Sequence, residues 1–254
     1  MSSASSLSSS LPLHQKIIVI TGATGTVGAA TAKQCAALGA TVILIGRKPK
    51  KLEAVYDALV EISASIDSNA EHALIPLDFT KTTADDFYKL ADTLTVEFGR
   101  VDGLIHCAAQ LANLTPLAHF TPDKWRMSLQ VGLDSVFYLT HACLPLLYLA
   151  TTKANVIFCQ NSLVAKGKAY WGSYAVAQAS LQALMSVFAQ EHEVQAQVRF
   201  NSFDPVCVNS ALRFSVNPNG VDDAFEDVKV AEKLVDLLIN LDDKNGELIC
   251  MVAN

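Results

Sequence analysis

Seven short runs rich in valine, isoleucine and leucine recur along this chain, and longer segments of helical period fill the intervals between them. Runs of that kind are strands buried on both faces, which arise where helices cover a parallel sheet from above and below. Strands are expected at 16–21, 41–45, 72–77, 103–107, 155–159, 198–202 and 248–252, and helices at 27–38, 49–63, 83–98, 121–148, 173–193 and 228–240. The fourth helix has a marked start, with Thr121 at the N-cap, Pro122 at the first helical position and Asp123 in the first turn. The fold class that follows is α/β: a doubly wound, seven-stranded parallel sheet flanked by helices. A length of 254 residues suits one such domain. The serine-rich start at 1–10 has the composition of a disordered tail, and we place the tail at 1–13 and the folded domain at 14–254.

The first strand runs directly into Thr21-Gly22-Ala23-Thr24-Gly25-Thr26-Val27-Gly28 and then a helix. Glycines there permit a tight turn and close approach of backbone to a pyrophosphate, while the helix N-terminus offers unpaired N–H groups to the anion. Gly22, Thr24, Gly25, Val27 and Gly28 are therefore the expected dinucleotide contacts. The second strand ends Ile45-Gly46-Arg47-Lys48, without the carboxylate that would bond a ribose 2′-hydroxyl. Arg47 instead suits a 2′-phosphate and Lys48 adds charge, which favours NADP over NAD; the plainer alternative is a solvated basic turn.

Two further stretches, Phe98-Gly99-Arg100-Val101-Asp102-Gly103-Leu104-Ile105 and Ala169-Tyr170-Trp171-Gly172-Ser173-Tyr174-Ala175, together with the glycine loop, resemble the short-chain dehydrogenase/reductase (SDR) family. The likeness runs from residue 16 to the end and implies a Rossmann fold and hydride transfer between a nicotinamide and a small carbonyl or alcohol. It also implies cofactor roles for Asp78 and Phe79 at the adenine, for Cys107 and Ala108 after the fourth strand, and for Pro205 and Ser210 after the sixth. Several positions depart from the family pattern. The loop has the glycine spacing of longer members, His106-Cys107-Ala108-Ala109 stands where Asn-Asn-Ala-Gly is usual, and Pro205-Val206 replaces Pro-Gly.

The resemblance assigns four catalytic positions, and here they read Gly132, Asn161, Tyr174 and Gln178, in place of Asn, Ser, Tyr and Lys. Ser162, one residue after Asn161, is the hydroxyl candidate. A phenol ionises near pH 10, so Tyr174 without the lysine is a poor base at neutral pH. Gln178, one helical turn on, keeps a hydrogen-bonding role toward a ribose and loses the electrostatic one. Lys166 and Lys168 are nearby cations, although loop lysines normally seek water. The expected function is an SDR oxidoreductase chassis with weak or absent activity; the alternative is a non-catalytic cofactor-binding or structural homologue acting as sensor or oligomer partner.

A formal net charge of -6 leaves no electrostatic footprint for nucleic acid. The start lacks the basic residues and apolar run of a secretory signal, and the apolar stretch 136–150 is too short to span a bilayer, so no membrane partner is expected. Six cysteines without a C-x-x-C pair, most in apolar runs, fit a reducing cytoplasm, and six histidines without ligand spacing argue against a metal. The long helices 121–148 and 173–193 are apolar on more than one face, which together with the resemblance implies a homodimer or homotetramer. Substrate selection is expected from 165–171 and 211–227, the latter a long excursion without clear periodicity.

Overall fold

The computed structural model describes residues 11–240 and 244–252. The expected tail at 1–10 lies outside them, whereas residues 11–13 are part of the fold. There Leu13 is buried and its N–H donates to Leu38 O at 3.0 Å. The elements in chain order are β1 (Ile17–Thr21), α1 (Thr26–Ala37), β2 (Thr41–Gly46), α2 (Pro49–Ser65), β3 (Ala73–Pro76), α3 (Ala84–Phe98), β4 (Gly103–His106) and α4 (Pro122–Tyr148). Then come β5 (Ala154–Cys159), α5 (Ser162–Ala165), α6 (Gly172–Glu191), β6 (Val198–Asp204), α7 (Ala211–Phe214), α8 (Asp227–Asn240) and β7 (Leu248–Cys250).

All seven strands pair in parallel in the order β3-β2-β1-β4-β5-β6-β7. Because side chains alternate across a strand, Ile17 and Val19 feed one core layer under α3, α4 and α6, while Ile18 and Ile20 feed the other under α1, α2 and α8. The chain reverses direction across the sheet at β1, whose neighbours are β2 on one side and β4 on the other. Such a switch point opens a crevice at the carboxyl ends of the strands.

Two expectations need correction and one holds. Residues 136–148 of the apolar stretch belong to a 27-residue helix, long enough to cross a bilayer, but 56% of its most apolar window is buried and it packs as a core helix. That helix is not uniformly α-helical: Gln130–Asp134 forms a π-helical turn. Thr121 does occupy the N-cap, but its hydroxyl makes no capping bond. Finally, 211–227 is not a plain excursion, since it holds α7 and a bridge between Val208 and Phe225.

Candidate active site

Gly22 has φ +64°, and a Cβ there would lie 2.7 Å from the Cys107 carbonyl carbon and the Ala108 nitrogen. Gly28 is equally constrained, since its Cβ would sit 2.4 Å from Gly22 O. The loop is thus pressed between the end of β4 and the start of α1, and only glycine fits at both positions. Two adjoining cavities of about 230 and 210 Å³ open along the carboxyl ends of the strands, sharing Gly25, Cys107 and Ala109 as walls.

The smaller cavity gathers Gly22, Thr24 and Gly25 with Arg47, Lys48, Asp78, Phe79 and Ala108, as the sequence leads one to expect. β2 delivers the two cations at its end. Asp78 closes a turn by accepting from Thr80 N at 3.2 Å and Thr80 Oγ1 at 2.9 Å. Phe79 is mostly core, with its ring 5.4 Å from that of Phe87. His106 faces the opposite side of the sheet, stacked on Phe158 at 5.3 Å, with Nε2 2.9 Å from Thr140 Oγ1. Burial lowers its pKa to about 3, so it is a neutral core residue.

The larger cavity holds Val27 and Gly28 on one wall and Asn161, Tyr174, Gln178, Pro205 and Ser210 on the other. Tyr174 is buried, and its phenol pKa is pushed up to about 12, by burial first and by the Asp204 carboxylate second; Arg213 acts in the opposite direction. The sequence places an unaided phenolate near pH 10, and the enclosing residues move it further out of reach. Gln178 is buried too, and its Oε1 accepts from Asn161 N at 2.6 Å. Asn161 caps α5, with Oδ1 accepting from Val164 N at 3.1 Å. Both side chains therefore hold backbone, and the Nδ2 group of Asn161 is its remaining donor. The Ser162 N–H donates to Asp204 at 2.7 Å, and its side chain is not part of the cavity wall. Gly132 sits in the π-helical turn, where a Cβ would meet Ala177 Cβ at 3.0 Å, so any larger residue there needs α6 to give way by a few tenths of an ångström.

Lys168 lies over the Trp171 ring at 5.4 Å, and Lys166 is exposed. The cation that reaches Tyr174 is instead Arg213, from α7, and the sequence argument did not single it out. Neither did it single out Asp204, a buried carboxylate at the end of β6 that accepts from Ser162 N and Val206 N, each at 2.7 Å. Ser210 caps α7, accepting from Arg213 N at 3.2 Å. Among the described residues no cluster of His, Cys, Asp or Glu could hold a metal ion.

Val206, at the position where the family carries glycine, keeps a glycine-like φ of +59°. A β-branched residue in that region is strained by about 1–2 kcal/mol. Val206→Gly is expected to leave stability unchanged or raise it by up to about 1 kcal/mol, since release of strain outweighs the added backbone freedom. A chemical-denaturation midpoint that falls by more than that would show that Val206 is not strained.

A family description of short chain dehydrogenases matches residues 16–221. The Escherichia coli oxidoreductase YciK is 32% identical over 206 residues, spanning 81% of this chain and 79% of that protein. A short chain dehydrogenase of Shigella flexneri, complexed with NADP, superposes with a TM-score of 0.87 at 28% identity over 94% of this chain and 98% of that one. Another from Escherichia coli, complexed with NADPH, gives 0.86 at 29% identity over the same share of each chain.

Proposed function

The chain belongs to the short-chain dehydrogenase/reductase family of oxidoreductases, and from that premise we propose that it binds NADP(H) and works, if slowly, only in the direction of carbonyl reduction. The observation that carries this is the phenol of Tyr174, held protonated by burial and by Asp204 to about pH 12. A neutral phenol donates a proton readily and accepts one poorly, so the site is an acid and not a base. Bound NADPH would supply the hydride. Tyr174 would protonate the developing alkoxide, and the Asn161 amide is the donor left to polarise the carbonyl, at less than the strength of a dedicated hydroxyl.

Assays of NADPH consumption with a panel of small ketones and aldehydes test this reading. Slow reduction that Tyr174→Phe abolishes, with no detectable alcohol oxidation at neutral pH, is the expected result. Failure of both NADPH and NADH to bind in isothermal titration would overturn it. The commitment of Gln178 and Asn161 to backbone supports a second reading, a non-catalytic cofactor-binding homologue, which nucleotide binding without any turnover would favour.

Arg47 and Lys48 beside the smaller cavity support NADPH over NADH. A charged hydrogen bond to a 2′-phosphate contributes about 1.5–3 kcal/mol, so Arg47→Ala should erase a preference of roughly ten- to a hundredfold. An unchanged ratio of the two dissociation constants would mean that the arginine is merely solvated.

Cytoplasmic residence and a homodimer or homotetramer complete the proposal. Exposed apolar side chains on α4 and α6, among them Met127, Phe137, Val176 and Val187, support self-association. Sedimentation at micromolar concentration should show at least a dimer; a 27.3 kDa species alone would count against it.

A further inference from the structure

Cys107 and Cys159 bring their sulfurs to 3.4 Å. The cause lies in the sheet. β4 and β5 pair in register through His106 and Phe158, so the next residue on each strand, a cysteine in both, stands directly opposite its partner. Alternation sends His106 and Phe158 to one face and both cysteines to the other, the face that carries the glycine loop. Both residues are partly exposed, both line the larger cavity, and Cys107 also lines the smaller one. Neighbouring strands run about 4.7–4.9 Å apart, inside the Cα window that a disulfide accepts.

We propose that Cys107 and Cys159 form a dithiol–disulfide couple in the wall of the cofactor cleft, oxidised by hydroperoxides, whose disulfide weakens NADPH binding. The Cys159 thiol is held protonated, chiefly by its contact with Cys107 and then by burial, and Cys107, which lines both cavities, is the sulfur that a hydroperoxide in the cleft meets first. The Cys107 sulfur attacks the terminal oxygen of the hydroperoxide, the O–O bond breaks, that oxygen keeps its hydrogen as it passes to sulfur, and the alkoxide takes up the proton released by the Cys107 thiol and leaves as an alcohol. This gives a sulfenic acid at Cys107. The Cys159 sulfur then attacks the Cys107 sulfur, and hydroxide departs with the Cys159 proton as water. Two thiols lose two electrons in all, and the hydroperoxide is reduced to alcohol and water. Closing the sulfurs from 3.4 Å to about 2 Å draws the Cys107 backbone, and Gly22 is pressed against that same backbone, so the phosphate loop must shift.

The test uses the whole purified chain. After hydrogen peroxide treatment, alkylation and tryptic digestion, residues 101–124 and 154–166, each with a single cysteine, should appear as one linked species two hydrogens lighter than the pair. Dithiothreitol should separate them, and Cys107→Ser or Cys159→Ser should prevent the link. NADPH affinity, read by titration, should fall about tenfold on oxidation and recover on reduction. Full alkylation of both cysteines after peroxide, or sulfinic acid at Cys107 beside a free Cys159, would overturn the couple. Unchanged affinity of the linked protein would overturn its coupling to the cofactor. The peptide map needs no nucleotide, so a protein that never binds NADPH bears on the proposed function while the map still judges the couple.

Discussion

Asn161→Ser combined with Gln178→Lys is expected to raise turnover on generic carbonyls or alcohols by roughly 10² or more, the contribution of one positioned acid/base group. An ammonium about 4 Å from the phenolate, at an effective dielectric near 20, stabilises it by about 4 kcal/mol, or roughly three pKa units. That would bring the Tyr174 value down from about 12 toward the working range. Residue 178 is 2% exposed, so a lysine there needs a counter-charge, and the Asp204 carboxylate already acts electrostatically on the same phenol. Serine at 161 keeps the N-cap of α5 while freeing the position from an amide. In the wild type, alcohol oxidation should emerge only as pH approaches the Tyr174 value; in the double variant it should emerge several units lower. NADP(H) absorbance across a pH series, with Tyr174→Phe as control, decides it. Ordinary family rates in the wild type that Tyr174→Phe abolishes would sink the argument, as would an inert double variant that still binds NADPH.

Asp204→Asn should lower stability by about 2 kcal/mol and the thermal midpoint by about 4–8 °C, although the substitution is nearly isosteric. The two carboxylate oxygens each accept a backbone N–H, from Ser162 and from Val206. A carboxamide can satisfy one of them only, and its NH₂ then faces the other donor. The Tyr174 phenol should titrate earlier than about pH 12, since one of its two upward influences is gone. The tyrosine absorbance step that disappears in Tyr174→Phe reads this directly. An unshifted step together with an unchanged midpoint would show that Asp204 neither holds the loop nor reaches the phenol.

The inner strands β1, β2 and β5 were legible because burial on both faces demands nearly unbroken apolar runs, and those runs are hard to mistake. The first residue of the third expected strand was misplaced for a local reason: His72 leaves the ladder and accepts from Val42 N through its imidazole, 3.1 Å away. The glycine loop and Arg47 were legible because their chemistry is local in the chain. Asp204 was not, because β6 was ended at residue 202 and an acid just beyond it reads as a loop residue. Arg213 sat in a stretch of weak periodicity, where a four-residue helix leaves no pattern. The commitment of Asn161 to the cap of α5 did have a signal, an asparagine three residues before Val164, but its likeness to a catalytic position drew attention elsewhere.

The π-helical turn at Gln130–Asp134 sets the rotational phase between the two halves of α4. Such a turn accommodates one residue more than an α-helix would over the same rise, so the helix tolerates a length change there that it tolerates nowhere else. Deleting one residue within the turn would restore regular hydrogen bonding while keeping Pro122–Leu129 in nearly the same rotational phase against Ser135–Tyr148, whereas a deletion in either regular half would turn them by about 100°. Ser128, whose hydroxyl bonds Gln110 O at 3.2 Å, would keep its place beside the loop that follows β4 in the first case and swing away from it in the second. A one-residue deletion at 130–134 would thus leave the first half of α4 aimed as it is, while the same change in Ser135–Tyr148 would break its contact with the loop after β4.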